Sequence, residues 1–271
     1  MMIHTILSAL RLHAQRVTLM RSILLAACAC VLGALIYSRA EAQVAPRPTS
    51  NKIIVLINPN SNANTTRSMT EIAATVTGAV KIEGKSNEGV PPLLTTPKDL
   101  ADALPGVVRI GVEAAKDSQV GAIIIAAFGD PGLAELRAKV DVPVFGIREQ
   151  AFREAAREGR SFGIATTTPD PGLLESFRQT AAALGYADQY RGTRATPGDP
   201  NALMKKSPED LDRALAEAVR ASIADGAKAV IIGGGPLTAS ALRLQPQFDI
   251  PLVVPVIAAA NAAAEKVQQG K

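Results

Sequence analysis

Thiol and imidazole chemistry is confined to the N-terminal end of this 271-residue chain, whose cysteines are Cys28 and Cys30 and whose histidines are His4 and His13. Everything beyond residue 42 therefore works without a nucleophilic sulfur, an imidazole acid–base group, a disulfide, or a zinc site of Cys and His. Proton transfer there falls to Asp, Glu, Lys or Tyr. The polar groups best placed to meet a ligand lie at four turns, each following an apolar run: Ile57-Asn58-Pro59-Asn60-Ser61, Ala127-Phe128-Gly129-Asp130-Pro131, Ala165-Thr166-Thr167-Thr168-Pro169 and Ile232-Gly233-Gly234-Gly235-Pro236. In the last three, proline suits the first helical position, where its missing N–H costs nothing, and Asp130, Thr168 and Gly235 suit the N-cap before it. Helix N-termini at the carboxyl ends of parallel strands leave backbone N–H groups free for an anion. Open α/β sheets bind ligands along that edge.

The elements that must position these turns read clearly. Val/Ile-rich runs predict strands at 53–57, 122–126, 142–145, 161–165, 229–232 and 252–254. Helical patterns lie between and after them at 65–77, 107–117, 132–139, 149–158, 172–184, 208–225 and 256–268. Continuous apolar strands separated by amphipathic helices predict an α/β fold, with parallel sheet covered by helices on both faces.

Ahead of this region, Arg21 precedes an apolar run over 23–37, and Ala40-Glu41-Ala42 supplies a small-residue cleavage signal. The pattern predicts a signal peptide over 1–42, cleaved after Ala42, and a periplasmic or secreted mature chain joined through a linker at 43–51. The run is shorter than the roughly 20 apolar residues of a membrane helix, so no stable span is expected after processing. Leu25-Ala26-Ala27-Cys28 offers a second route, lipid attachment at Cys28, which is disfavoured because the apolar run continues past it. The leader also carries much of the positive charge. Beyond residue 42 the chain has 25 basic and 24 acidic residues, which gives no nucleic-acid footprint.

Taken together, Ile57-Asn58-Pro59-Asn60-Ser61, Met69-Thr70, Ile82-Glu83-Gly84, Ala126 through Leu133, Val142 through Ile147 and Thr166-Thr167 resemble the aspartate/glutamate/hydantoin racemase superfamily, most closely its hydantoin racemase branch. The resemblance implies two similar α/β domains, 52–146 with 251–271 and 147–250, with a substrate cleft between them. It also implies cofactor-independent proton exchange, one cysteine removing an α-proton while a second returns one on the opposite face. By position those cysteines fall on Ala127 and Gly234, and neither a methyl group nor a hydrogen carries a proton. Two readings follow from the resemblance. One is an isomerase working through other groups, with Glu83 and Asp130 as the carboxylates to consider. The other is an exported, catalytically silent protein that binds a small acidic or cyclic-amide ligand.

The substrate-binding set the resemblance implies is Asn58, Asn60, Ser61, Phe128, Gly129, Thr166, Thr167, Gly233 and Gly235, with no metal or cofactor. A homo-oligomer is compatible with it. Each residue also has a purely structural reading. Asn58 and Asn60 can hold their turn, Thr166 and Thr167 can cap, and Gly233 to Gly235 form either an anion-accepting nest or a tight connection. Asp130 suits an N-cap better than a catalytic acid, and Glu83 can be a solvated loop residue.

Overall fold

The computed structural model describes residues 52–270. The expected leader, its cleavage site, Cys28 and the linker lie outside the described residues. The first sheet contains β1 (Ile53–Asn58), β2 (Lys81–Ser86), β3 (Val120–Ile125) and β4 (Val144–Gly146), in the order β2-β1-β3-β4 and parallel throughout. The second contains β5 (Phe162–Thr166), β6 (Tyr190–Ala195), β7 (Ala229–Ile232) and β8 (Leu252–Val253), again parallel, in the order β6-β5-β7-β8. The same winding is thus used twice.

Strand periodicity explains why the inner strands are apolar at every position. Ile54, Leu56, Ala122 and Ile124 face one core, and Val55, Ile57, Ile123 and Ile125 face the opposite one. The second sheet divides likewise, Val230 and Ile232 against Ala229 and Ile231. Burial on both faces demands this composition. The edge strands β2 and β6, with sequences Lys-Ile-Glu-Gly-Lys-Ser and Tyr-Arg-Gly-Thr-Arg-Ala, face solvent and have no such run. They are absent from the sequence expectations for that reason.

Helices α1 (Ala63–Ala74), α2 (Pro97–Ala114) and α3 (Leu133–Arg137) accompany the first sheet. Helix α4 (Ile147–Ala155) leaves it directly from β4 and buries Ala151, Phe152 and Ala155 with the second sheet. Helices α5 (Pro171–Ala183), α6 (Pro200–Leu203), α7 (Pro208–Ala224) and α8 (Thr238–Leu244) follow. The last helix, α9 (Pro255–Gln269), returns to the first sheet, where Val256, Ala259, Ala260, Ala263, Ala264 and Val267 join its core. Because Leu252–Val253 still pairs with β7, the return begins with the helix at Pro255 rather than at residue 251. Among the described residues no helix is long and apolar enough to cross a membrane.

Candidate active site

All four turns reach one cavity. Asn60, Ala127, Phe128, Gly129, Thr166, Thr167, Thr168, Gly233, Gly234 and Gly235 line it, together with Leu93, Leu94, Leu100, Leu173, Phe177, Met204 and Leu237. It holds about 660 Å³ of atom-free space, the open mouth included. The turns converge because each ends an inner strand at its carboxyl edge. Phe128 ties the halves together there. It leaves the first sheet yet packs in the second sheet's core, its ring 5.1 Å from that of Phe177 at 67°.

Asn58 does not line the cavity. It is fully buried, and its amide donates to Asn60 Oδ1 at 2.8 Å and to Thr66 Oγ1 at 2.9 Å, which fixes the first turn from behind. Ser61 also lies off the cavity wall, with its N–H directed at Pro91 O. Thr166 lines the cavity but spends its hydroxyl proton on Gly233 O at 2.8 Å, joining the two turns of the second sheet. Gly233 and Gly235 are places of close packing. A Cβ on Gly233 would come within 2.9 Å of the Phe128 ring, and one on Gly235 within 2.7 Å of Met69 Sδ. Gly234 has φ 153° and ψ 130°, a conformation that strains any side chain.

The two carboxylates singled out in the sequence sit elsewhere. Glu83 is on the edge strand β2, paired with Lys81 at 2.8 Å, beside a separate groove with Arg109 and Asp117. Asp130 is buried behind the cavity wall, its two oxygens accepting the N–H groups of Arg148 at 3.0 Å and Glu149 at 2.9 Å. It is an N-cap, though not of the helix that follows it in sequence. Helix α3 starts from Gly132 with no side-chain cap, whereas α4 starts at Gly146 and takes its cap from Asp130. Glycine is needed at 146 because a Cβ there would lie 2.3 Å from Asp130 Cγ. Burial pushes Asp130 up to about 6, opposed by the Arg148 charge and by the two backbone donors.

The other expected caps also shift. Helix α5 is capped by Asp170 with Pro171 behind it, not by Thr168, and Gly235 opens a single 3₁₀ turn rather than capping a helix. A hydroxyl two residues after a strand reads as a cap in sequence, but the chain here runs on before it coils. The apolar wall was not foreseen. Leu93 and Leu94 come from the long β2–α2 connection and Met204 from the end of the one-turn helix α6, and neither segment carries a periodic signal.

No Asp, Glu, Lys, Arg or Tyr of the described residues lines the cavity. The arrangement supplies backbone N–H groups, threonine hydroxyls and an asparagine amide to a ligand, but no ionisable side chain to move its protons. Ala127 and Gly234 both border the cavity.

The Asp/Glu/hydantoin racemase family model matches residues 54–263 of the chain. A hydantoin racemase of Paenarthrobacter aurescens is 30% identical over 224 residues, covering 80% of this chain and 92% of that protein. One from Rhizobium meliloti is 29% identical over 212 residues, covering 78% and 86%. Among solved structures, the allantoin racemase from Klebsiella pneumoniae superposes with a TM-score of 0.74 at 27% identity, covering 81% of this chain and 89% of that one. Arylmalonate decarboxylase shares the fold with a TM-score of 0.56 at 14% identity.

Proposed function

The chain belongs to the Asp/Glu/hydantoin racemase family, and from that premise we propose that it is an exported member which binds a small acidic or cyclic-amide ligand without two-base racemisation. The observation that carries this reading is the absence of any ionisable side chain among the described residues lining the cavity. A racemase must be base on one face and acid on the other, and Ala127 and Gly234 are neither. The ligand class is supported by the relatives, two of them hydantoin racemases and one an allantoin racemase.

The test is α-proton exchange in deuterated water on aspartate, glutamate and 5-substituted hydantoins, alongside direct binding of the same compounds. Exchange at background with measurable binding is expected. Deuterium incorporation with racemisation would show an isomerase working through groups outside the cavity wall, and Glu83→Gln and Asp130→Asn would then locate them. Export is supported by the apolar run over 23–37 and by Ala40-Glu41-Ala42. N-terminal sequencing of periplasmic protein should begin at Gln43, and an intact leader or a lipid on Cys28 contradicts that.

A further inference from the structure

We propose that the outer face of α2 is an interface at which two copies of this chain meet, their helices antiparallel about a twofold axis beside Pro105. The proposal goes beyond the ligand reading and does not depend on it. Helix α2 carries apolar residues on two sides. Ala103, Val107, Gly111 and Ala114 are buried against the first half of the molecule. Leu104, Pro105, Val108 and Val112 instead line an open groove on the surface, bordered by Glu135 and Lys139. Pro105 is exposed in the middle of the helix, and Leu104, Val108 and Val112 are half-buried.

The charges beside this apolar strip are arranged for a twofold. Lys98, Asp102, Arg109 and Glu113 are all exposed and follow one another at spacings of four, seven and four residues. At 3.6 residues per turn those spacings keep them in one stripe along the helix. Their signs run plus, minus, plus, minus. The spacing is thus symmetric about the bond between Pro105 and Gly106, while the signs are antisymmetric. Turned end over end, the stripe sets Lys98 of one copy against Glu113 of the other and Asp102 against Arg109, so each charge of the stripe meets its opposite. No charged residue falls between Asp102 and Arg109, and Ala103 to Val108 is apolar throughout. An apolar centre with a charged rim is the usual build of a protein interface, and a twofold contact requires a surface complementary to itself.

Ion pairing along one helix accounts for only part of the stripe. Lys98 pairs with Asp102 at 2.5 Å and Glu113 with Lys116 at 2.6 Å. Arg109 has no ion-pair partner among the described residues, although Glu113 stands one turn away. In the dimer it gains Asp102 of the other copy.

Charge reversal tests the register. The processed chain should behave as a dimer in size-exclusion chromatography with light scattering, and sedimentation equilibrium gives its dissociation constant. Arg109→Glu sets carboxylate against carboxylate at both Asp102 contacts, and Asp102→Lys sets cation against cation at both Arg109 contacts. Each variant alone should weaken the dimer at least about tenfold, with the wild-type far-UV circular dichroism retained because both side chains are exposed. Mixed in equal amounts, the two variants restore opposite charges at all four contacts, and native mass spectrometry should show a heterodimer. Pro105→Glu brings two carboxylates to the axis and should leave a monomer. A wild-type chain that stays monomeric at the highest concentration reached overturns the proposal. A dimer that all three variants leave intact overturns it as well, since the contact then lies on another surface. A mixture of the two charge variants that remains monomeric shows that the helices do not meet in this register.

Discussion

At the scale of residues, Ala127 and Gly234 are the positions at which the proposed function is most directly tested. Both border the cavity, and on the reading proposed above it is their lack of a proton-carrying side chain that leaves the site without two-base exchange. The positions differ in how readily they accept a thiol. Ala127 already has a Cβ. Gly234, at φ 153°, holds a conformation that costs a non-glycine residue on the order of 1–3 kcal/mol, and its added Cβ would touch Leu237 at 3.3 Å. Gly234→Cys should therefore lower the melting temperature by several degrees, at about 2–4 °C per kcal/mol for a chain of this size, while Ala127→Cys leaves it nearly unchanged. The double variant is expected to exchange the α-proton of a bound hydantoin faster than the wild type's background in deuterated water. If the folded double variant binds the hydantoin and still shows no exchange, missing thiols are not what silences the site.

At the scale of elements, Asp130 shows how one residue couples the cavity wall to the fold. It closes the Phe128-Gly129 turn and caps α4, the helix that crosses to the second sheet. Its folded-state value of about 6 lies above the ordinary carboxylate value of 3.8. The folded chain therefore holds this proton more tightly than the unfolded chain does. The stability from protonation is fully present below pH 4 and is lost as pH rises through 6, on the order of 3 kcal/mol. Asp130→Asn removes that dependence, so urea midpoints at pH 4 and pH 7 should differ less between themselves in the variant than in the wild type. An unchanged pH difference would show that Asp130 is not the group responsible. The sequence marked Asp130 as a cap but attached it to the wrong helix, because a cap given across space leaves no local signature. Strand legibility followed burial in the same way. Ile54 to Ile57 and Ala229 to Ile232 are buried on both faces and read as strands, whereas β2 and β6 hide their pairing in polar residues. The four turns were legible from their glycine, proline and threonine residues, but the leucines that close the cavity were not. They reach it from loops whose course only the fold determines.

At the scale of the whole molecule, the two sheets share a winding but do not keep their helices to themselves. Helix α4 packs with the second sheet, and α9, at the far end of the sequence, completes the core of the first. Small residues at 259, 260, 263 and 264 let α9 lie close against Ile54, Leu56 and Ile124, with Val256 and Val267 closing its two ends. Without α9 only α1, through Met69 and Ala73, covers that face of the first sheet, and the Ile and Leu left exposed beside it weaken a parallel sheet that needs cover on both faces. Residues 52–146 alone should therefore fail to unfold cooperatively and should expose apolar surface to a hydrophobic dye. Residues 255–269 joined behind residue 146 should restore a cooperative transition. A cooperative transition in the 52–146 fragment without α9 would mean that the first sheet is self-sufficient and that the exchange of helices does not hold the halves in one unit.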